Sequence, residues 1–185
     1  DLDLRRADAG FAIRGKVDGQ DQQLMTDQIV VAAGMGSPDL LRLLGVRMAL
    51  VPIRGHAVDF DIPQGFALPY CPVMDAASRT ALTIFEDRLR FSGGWDKPDH
   101  TAMMSRWAEI APHLMARLTD PIATWDSHRP VSPVGRPYIS GTSVPGLWVN
   151  TGHGHMGWTL CAGSGDLMAA MICDHAQDVR FMFAG

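Results

Sequence analysis

The amino-acid sequence predicts a mixed α+β (α/β) fold, in which antiparallel strands lie between two strand–turn–helix segments. A continuous apolar run at residues 29–33 leads into a glycine turn and a short helical pattern that stops at Gly45. From Val51 to roughly Gly94 the sequence consists of short β-type segments without helices between them. A last apolar segment, Leu147 to Asn150, runs into a glycine-rich turn and a long helical pattern. Because buried parallel strands alternate with helices whereas antiparallel strands follow one another directly, these patterns predict both kinds of sheet.

The predicted strands follow from apolar spacing and from the turn residues that separate them. Residues 29–33 are apolar without interruption, which is typical of a strand buried on both faces. The strands are predicted at Phe11 to Lys16, Gln28 to Ala33, Ile53 to Phe60, Leu68 to Met74, Thr80 to Phe85, Leu89 to Ser92, Ile122 to Trp125, Tyr138 to Ser140 and Leu147 to Asn150. The D-G-Q-D between the first two strands predicts a turn.

The predicted helices follow from helical periodicity and capping residues. The first covers residues 38–44, with Ser37 as its N-cap and a proline at its first position. The second covers Asp99 to Leu118, where apolar residues recur on one face, and Pro112 is expected to kink or split it. The third runs from His155 to about His175.

Length and composition describe a globular chain and exclude several classes of protein. Among 185 residues, 46% are hydrophobic and 19% charged, which is unlike a disordered chain. The net charge is -4 and no basic run occurs, so nucleic acid is not an expected partner. Three dispersed cysteines without a C-x-x-C predict neither a disulfide framework nor a zinc site and favour a reducing compartment.

The sequence shows no membrane-spanning or targeting segment. Its longest nearly apolar stretch, Trp158 to Cys173, is interrupted by Asp166 and is shorter than the ~20 residues that a bilayer requires. The first residues are acidic and the chain does not begin with Met, so we expect no signal peptide here and a gene product that begins elsewhere. We expect a cytoplasmic location, either free or peripheral on the inner face of the membrane.

The strongest local signal is the segment N-T-G-H-G-H-M-G-W at residues 150–158, where a strand enters a glycine-rich turn that opens a helix. Its glycines let the backbone approach a ligand closely. The N–H groups of the first helical turn lack intrahelical acceptors and, with the helix dipole, stabilise negative charge. The segment predicts a site for a phosphate or another electron-rich oxygen; the alternative is that its glycines only permit tight strand–helix packing.

A second signal is Arg129, which precedes a proline in the segment W-D-S-H-R-P at residues 125–130. A residue before proline is held extended and does not join a helix. The planar guanidinium of such an arginine is suited to bidentate binding of a carboxylate. The alternative is an ordinary solvated arginine on the surface.

The third signal is the group of small residues Ala32, Ala33 and Gly34 at the carboxyl end of the apolar strand. Small residues at this position allow a cofactor to pass close by, although buried strands that end in glycine are common in α/β proteins. No G-x-G-x-x-G opens the chain, so the usual N-terminal fingerprint of dinucleotide binding is absent from its first segments.

Two other kinds of chemistry are disfavoured. The histidines of H-G-H, residues 153–155, lack the further spacing of a metal site. No G-x-S-x-G is present, and Gly163-Ser164-Gly165 lies within the last predicted helix, so a hydrolase nucleophile is not expected. We therefore predict neither a metal ion nor a catalytic nucleophile.

Four segments of the sequence occur in a set order: V-V-A-A-G-M-G at 30–36, P-I-R-G-H at 52–56, W-D-S-H-R-P-V-S-P-V-G-R-P-Y-I at 125–139 and N-T-G-H-G-H-M-G-W-T-L-C-A-G-S-G at 150–165. Together they resemble the FAD-dependent D-amino acid dehydrogenase and oxidase family, and most of all the small subunit of bacterial D-amino acid dehydrogenases. The resemblance covers about Gln28 to Ile172 and corresponds to the C-terminal half of such a protein.

The resemblance implies an organisation in three parts. Residues 1–50 would be part of an FAD-binding, Rossmann-like domain, residues 51–140 an antiparallel substrate-binding sheet domain, and residues 141–185 the returning strand and helix of the FAD-binding domain. The G-x-G-x-x-G would lie in a missing N-terminal half or in a partner subunit.

The resemblance also implies roles for individual residues. Arg129 would bind the α-carboxylate of an amino acid, and His56, in a position where the family usually has an aromatic residue, would face the substrate. Ala32, Ala33 and Gly34 would lie near the ADP part of FAD. The flavin would be contacted by Gly152, His153, Gly154, His155, Met156, Gly157, Trp158 and Thr159.

The activity implied is the oxidation of a D-amino acid, or a related amine such as glycine, sarcosine or proline, to an imine in amino acid catabolism. Hydride transfer to flavin N5 builds negative charge on the flavin, which the helix N-terminus would stabilise. Catalysis would rest on positioning, without a side-chain acid or base. We expect the isolated chain to be inactive and to lack FAD.

An alternative from a different class is a non-catalytic module or a separately encoded subunit that completes a flavin site with a partner chain. Departures from the family pattern include Ser127 in place of Gly, and Ser132 and Val134 in place of Thr and Asp in a T-P-D-G turn. Those three substitutions are expected to be structural, whereas His56 leaves the identity of the amino acid open.

Overall fold

The computed structural model describes residues 2–65, 67–95 and 99–173. The chain divides into two compact units, which are described separately. Unit 1 contains the residues up to Pro52 and those from Arg129 onward, and unit 2 contains Ile53–His128.

The strands are, in chain order, β1 (Asp3–Arg6), β2 (Phe11–Val17), β3 (Gln20–Thr26), β4 (Ile29–Val31), β5 (Val51–Asp61), β6 (Val73–Asp75), β7 (Thr80–Ile84), β8 (Arg88–Gly93), β9 (Ala123–Val131), β10 (Tyr138–Gly141) and β11 (Leu147–Thr151). The α-helices are α1 (Ser37–Leu43), α2 (His100–Ile110), α3 (Pro112–Met115) and α4 (Gly157–Ile172). Short 3-10 turns at Gly34–Gly36 and Gly154–Met156 precede α1 and α4.

Unit 1 contains two small sheets. In the first, β2 pairs antiparallel with β1 on one side and with β3 on the other. In the second, β11 pairs antiparallel with β10 and parallel with β4. The apolar core of the unit is formed by Leu4, Phe11, Val31, Leu41, Leu44, Leu147 and Val149. The predicted parallel strand is present as β4, but it is not buried on both faces, since Val31 is buried whereas Val30 is 41% exposed.

Unit 2 contains a five-stranded sheet in the order β6-β7-β8-β5-β9, with α2 and α3 packed against it. The α2 helix begins where the Asp99 carboxylate accepts a hydrogen bond of 2.7 Å from the Ala102 N–H. Helix α2 ends at Ile110 and α3 begins at Pro112, because proline is tolerated at the first position of a helix but not in its interior. The predicted split at Pro112 is confirmed.

The core of unit 2 centres on Trp107, which is 1% exposed. Its Nε1–H donates a hydrogen bond of 3.0 Å to Thr80 Oγ1, so the one polar atom of the ring is satisfied. Its ring meets the Phe91 ring edge to face, with 5.3 Å between centroids. The other buried members of this cluster are Val58, Phe60, Leu82, Leu89, Met103 and Leu114.

Strands β1 and β3 were not expected from the sequence. Their segments, D-L-R-R and Q-D-Q-Q-L-M-T, are mostly polar and exposed, so they lack the apolar spacing that marks a strand. Both strands form because β2 pairs with them in register, with Ile13 opposite Leu4 and Leu24. Pairing of this kind depends on neighbours in space rather than on local composition.

Three other expectations need correction. The strand predicted at Leu68 to Met74 is limited to Val73–Asp75, and the one predicted at Ile122 to Trp125 continues as β9 to Val131. Ser37 is the first residue of α1 rather than its N-cap, since the 3-10 turn makes Gly36 the N-cap. The C-terminal part of the last predicted helix, residues 174–175, lies outside the described residues.

No helix among the described residues combines the length and the apolar character needed to cross a bilayer.

Candidate functional site

The parallel pair β4 and β11 brings two of the predicted site segments together. Ile29 lies opposite Leu147 and Val31 opposite Val149, so the carboxyl ends of the two strands reach the same edge of the sheet. Ligands of α/β sheets bind at the carboxyl ends of parallel strands. The loops that leave this edge are residues 32–36 and residues 152–156, and we refer to them as the β4 loop and the β11 loop.

The β4 loop combines small, exposed residues with a fixed backbone. Ala32 and Ala33 are exposed, whereas Ser37, which follows the loop, is buried. The Ser37 hydroxyl accepts a hydrogen bond of 3.1 Å from the Ala33 N–H and so closes the loop onto the start of α1. Gly34 has a φ of 54°, a conformation that favours glycine. The loop therefore offers two small, exposed residues, Ala32 and Ala33, and Met35 is its one large side chain.

The β11 loop requires glycine for conformational and steric reasons. Gly152 has a φ of 83°, and a Cβ at this position would come within 3.2 Å of Ser132 Cβ. Gly154 has a φ of 60°, and a Cβ there would come within 3.3 Å of the Val131 side chain. The glycines of the sequence motif thus allow this loop to lie directly against the end of β9.

The two loops are tied to each other. The Thr151 hydroxyl, at the end of β11, donates a hydrogen bond of 3.3 Å to the Gly34 carbonyl oxygen. Thr151 is 2% exposed, so this contact is protected from water. Sequence reasoning missed Thr151 as part of the site, because its contact follows from the register of strands that are more than a hundred positions apart along the chain.

The start of α4 presents backbone N–H groups. Met156 is the N-cap of α4, and no side chain of the described residues caps this end of the helix. Trp158 and Thr159 of the first turn are exposed, with Trp158 at 90%. The orphan N–H groups of this turn and the helix dipole favour an electron-rich group.

His153 connects the β11 loop to β9 and has an unusual side-chain environment. It forms an isolated antiparallel bridge with Val131, and its carbonyl oxygen accepts a hydrogen bond of 3.1 Å from the Met156 N–H. Burial lowers the pKa of the His153 imidazole, so the neutral ring predominates at neutral pH. Its Nε2 is buried and has no hydrogen-bond partner among the described residues. His155, by contrast, is exposed.

Arg129 lies in unit 1, in the last part of β9. It is partly buried, and burial lowers the pKa of its guanidinium, which still remains protonated because arginine titrates far above neutrality. A Cβ built on Gly34 would lie 3.8 Å from Pro130 Cγ, and Val131 pairs with His153. The Arg129–Val131 segment therefore adjoins both the β4 loop and the β11 loop.

Ser132 clarifies one departure from the family pattern. It is 2% exposed, its hydroxyl accepts a hydrogen bond of 3.3 Å from the Val134 N–H, and its carbonyl oxygen accepts one of 3.0 Å from the Gly135 N–H. These bonds form the turn after β9, so Ser132 supports the turn. The hydroxyl is the feature that serine shares with the usual threonine.

His56 lies in unit 2, within β5. It is 5% exposed, and its ring meets the His100 ring of α2 edge to face, with 5.0 Å between centroids. By strand alternation it shares a face of β5 with Val58 and Phe60, which belong to the core beneath α2. Contact of His56 with a substrate stays a prediction.

Among the described residues no group of three His, Cys, Asp or Glu side chains is placed to hold a metal ion.

Comparison with known proteins gives consistent matches. Residues 2–171 match the family described as FAD dependent oxidoreductase, DAO. A D-amino acid dehydrogenase of Methylobacterium radiotolerans is 32% identical over 165 residues, which are 84% of this chain and 39% of that protein.

Solved structures of similar fold include two oxidases. An iminodiacetate oxidase from Chelativorans has a TM-score of 0.77 and 25% identity, with 94% of this chain and 49% of that chain covered. A glycine oxidase from Bacillus cereus has a TM-score of 0.76 and 22% identity, with 97% and 51% covered. The chain thus spans 39% of the dehydrogenase and about half of each oxidase.

Proposed function

This chain belongs to the family of FAD-dependent oxidoreductases, and on that basis we propose that it is the C-terminal part of an enzyme that oxidises a D-amino acid to an imine. FAD is the cofactor of the family. A related amine such as glycine, sarcosine or proline is the alternative substrate in this proposal. The imine would hydrolyse to a keto acid, and an acceptor other than oxygen would reoxidise the flavin.

One observation carries the proposal: the three segments singled out in the sequence meet within unit 1. The β4 loop and the β11 loop leave the same sheet edge, and Thr151 joins them. The Arg129–Val131 segment adjoins both loops. Their meeting at the carboxyl ends of two parallel strands supports a shared ligand site at this edge.

The residues at this edge fit a flavin dinucleotide. The α4 N-terminus offers N–H groups without a side-chain cap among the described residues, and the small, exposed residues Ala32 and Ala33 leave room for a group beside the backbone of the β4 loop. The buried Nε2 of His153 is a polar atom that lacks a partner in the described part of the chain. When bound, FAD supplies the acceptor for two electrons and the hydrogen of the substrate α-carbon.

The chain's own residues would bind and orient the substrate. Arg129 is charged and partly buried, so its guanidinium would form a charge-assisted pair with a carboxylate that is stronger than one in open water. Such a pair fixes the α-carbon in one orientation, and positioning of this kind lowers the barrier without a side-chain acid or base. The His153 ring is neutral, so it would line the site without adding positive charge to it.

The names of the relatives support a substrate that contains both an amine and a carboxylate. The Methylobacterium relative is a D-amino acid dehydrogenase, and the Chelativorans structure is an iminodiacetate oxidase. An amino acid and iminodiacetate share an amine nitrogen one carbon away from a carboxylate. An Arg129 that binds a carboxylate beside the flavin would select substrates that contain this shared group.

The domain assignment is part of the proposal. We assign residues 1–50 and 141–185 to an FAD-binding domain and residues 51–140 to a substrate-binding domain, in a cytoplasmic protein. The remainder of the FAD-binding domain, with its G-x-G-x-x-G, would be supplied by another part of the same polypeptide or by a partner subunit.

A second candidate function is a subunit that completes a flavin site with a partner chain. The observation in its favour is α4, a 16-residue helix with Asp166 as its one charged residue but with only Ser164 and Met168 buried. A helix that is apolar around most of its surface is normally buried. Co-elution with a G-x-G-x-x-G chain in size-exclusion chromatography would favour the subunit, whereas an in-frame G-x-G-x-x-G upstream in the gene would favour a single polypeptide.

The proposed activity is tested with the complete natural protein that contains this chain. The protein is loaded with FAD and assayed with a panel of D-amino acids, glycine, sarcosine and proline, with an artificial dye as electron acceptor. We expect dye reduction with at least one amine and none in a control without amine. If no amine reduces the dye or bleaches the flavin, the proposed oxidation is wrong.

A further inference from the structure

The parallel pairing of β4 with β11 stops before the two loops of the proposed site begin. Its last pair is Val31 with Val149, so the backbone hydrogen bonds of this ladder do not reach the β4 loop or the β11 loop. Loops that leave a sheet lack its regular hydrogen bonds and are more mobile than the strands they follow. The spacing of the two loops therefore depends on other contacts within unit 1.

Thr151, at the end of β11, supplies one such contact. Its backbone still lies opposite Tyr138 in the antiparallel ladder with β10, so its own position is fixed. Its hydroxyl donates the hydrogen bond of 3.3 Å to the Gly34 carbonyl oxygen. Because Thr151 is 2% exposed, water does not compete for this bond. The hydroxyl thus connects the β4 loop to a strand that is held in place independently.

The carbonyl oxygen of Gly34 is fully used by the protein. It also accepts a hydrogen bond from the Ser37 N–H at the start of α1. A carbonyl oxygen has two lone pairs, so these two donors leave none for a ligand. The β4 loop is closed on itself by the bond from the Ala33 N–H to the Ser37 hydroxyl. The loop therefore has a shape of its own, and Thr151 sets its position relative to β11.

The residue after Thr151 is held as well. The Gly152 carbonyl oxygen accepts a hydrogen bond of 3.3 Å from the Ser132 N–H. Gly152 is buried, and a Cβ on it would come within 3.3 Å of the Leu50 and Tyr138 side chains. The β11 loop therefore starts from a fixed point, to which Thr151 ties the β4 loop.

We propose that Thr151 is a positioning residue that sets the spacing of the β4 loop and the β11 loop and thereby the affinity for FAD. The inference rests on the proposed function, which places one cofactor against both loops. A ligand that contacts two segments binds more tightly when their spacing is fixed beforehand, because fewer groups have to be ordered on binding. Thr151 would act on the cofactor without touching it.

The experiment measures the FAD affinity of the complete natural protein, from which the flavin is first removed. The protein is then titrated with FAD, and the change in flavin fluorescence gives Kd. Thr151→Val keeps the shape of the side chain but removes the hydroxyl, and we expect Kd to rise about three- to tenfold, as for the loss of one hydrogen bond. Thr151→Ser keeps the hydroxyl, so its Kd should stay within about twofold of the wild-type value.

The matched control is Thr142→Val, which removes the same kind of bond at the opposite end of β11. The Thr142 hydroxyl donates a hydrogen bond of 3.3 Å to the Val144 carbonyl oxygen. The Thr142 N–H donates to the carbonyl oxygen of Leu147, the first residue of β11, so Thr142 lies at the end of the strand that is opposite to the two loops. We expect this variant to bind FAD within about twofold of the wild type. Thermal unfolding of each flavin-free variant measures its loss of stability in parallel.

Two results would overturn the positioning role: a Kd of Thr151→Val within about twofold of the wild type, or an equal rise in Kd for Thr142→Val. If Thr151→Val does not fold, Thr151→Cys is compared with Thr151→Ser. Because a thiol is a weak donor, FAD binding by Thr151→Cys that is at least about threefold weaker supports the role, and equal affinities contradict it.

The measurement separates this inference from the proposed function, because it needs no amine. A protein that binds FAD with the expected ratios but oxidises no amine would contradict the proposed oxidation alone. Oxidation of an amine by a protein whose FAD affinity does not depend on the Thr151 hydroxyl would contradict the positioning role alone. A complete protein that binds no FAD would contradict both.

Discussion

Asp59 is a buried carboxylate whose charge is balanced by two arginines. It is 4% exposed, accepts two hydrogen bonds from Arg90 and lies 3.3 Å from Arg88 Nε. The hydrogen bonds from Arg90, together with the charges of both arginines, lower the pKa of Asp59 although burial alone would raise it. The ion pair thus holds β5 and β8 together.

We expect Asp59→Asn to lower the free energy of unfolding by about 2 kcal/mol at neutral pH, because charged hydrogen bonds of a buried group are lost. The folded pKa of Asp59 lies below the unfolded value of about 3.9, so its contribution is fully present above about pH 4. The contribution is lost as the pH falls through the folded pKa. Urea unfolding at neutral and acidic pH measures it.

The control for this variant is Asp39→Asn, which removes an exposed ion pair with Arg42. Exposed pairs contribute less than about 1 kcal/mol, so this variant should unfold almost as the wild type does. If Asp59→Asn and Asp39→Asn lower the free energy of unfolding by the same small amount, the predicted contribution of Asp59 to stability is wrong.

Arg129 is the residue on which the proposed chemistry depends most. We expect Arg129→Leu to raise KM for a carboxylate-containing amine about 10- to 100-fold, because a charge-assisted pair of about 1.5–3 kcal/mol is lost. Steady-state kinetics of the complete FAD-loaded protein measure the change. Equal losses for an amine with and without a carboxylate would contradict a role in carboxylate binding.

At the scale of elements, α2 depends on Trp107 for its contact with the sheet. The ring is buried, meets Phe91 and donates to Thr80 Oγ1. A second contact joins α2 to the end of β6, where Arg106 donates to the Asp75 carboxylate and strongly lowers the pKa of Asp75.

We expect Trp107→Ala to lower the free energy of unfolding by about 3–5 kcal/mol, since a large buried side chain leaves a cavity. Tyr70→Ala removes an aromatic ring that is fully exposed, and it should change stability by less than about 0.5 kcal/mol. Urea unfolding followed by circular dichroism compares the two. Similar losses for both variants would contradict the placement of the core beneath α2.

The elements also show what could be predicted from the sequence. Helix α4, the split at Pro112 and the interior strand β5 were predictable, because apolar spacing, proline and glycine act locally. Strands β1 and β3 were not, because their polar residues pair with β2 only once the chain has folded. The same limit applies to Thr151, whose hydrogen bond to Gly34 depends on the pairing of distant strands.

At the scale of the whole molecule, the described chain carries a helix whose composition is that of a protein interior. Trp158 is 90% exposed, and most of α4 is exposed although it is almost free of charge. Large exposed apolar surfaces mark sites of interaction. This surface supports the proposal that further protein lies against α4 in the active enzyme.

We expect the isolated 185-residue chain to bind little or no FAD, because no G-x-G-x-x-G opens the chain and the resemblance assigns the pyrophosphate-binding one to a missing N-terminal part or a partner subunit. The measurement is the flavin absorbance of the purified chain after incubation with FAD and gel filtration. The complete natural protein is the control and should retain FAD. A purified chain that carries stoichiometric flavin would contradict the division of the site between this chain and further protein.

The most direct measurement is anaerobic mixing of the complete FAD-loaded protein with the D- and L-enantiomers of its best amino acid. Without any other acceptor, electrons from the substrate can only reduce the flavin, and the loss of flavin absorbance reports that step. We expect the D-enantiomer to bleach the flavin within the time of turnover and the L-enantiomer to bleach it far more slowly. An unbleached flavin with every amine of the panel would contradict the proposed oxidation, and bleaching by the L-enantiomer alone would contradict the D-amino acid assignment.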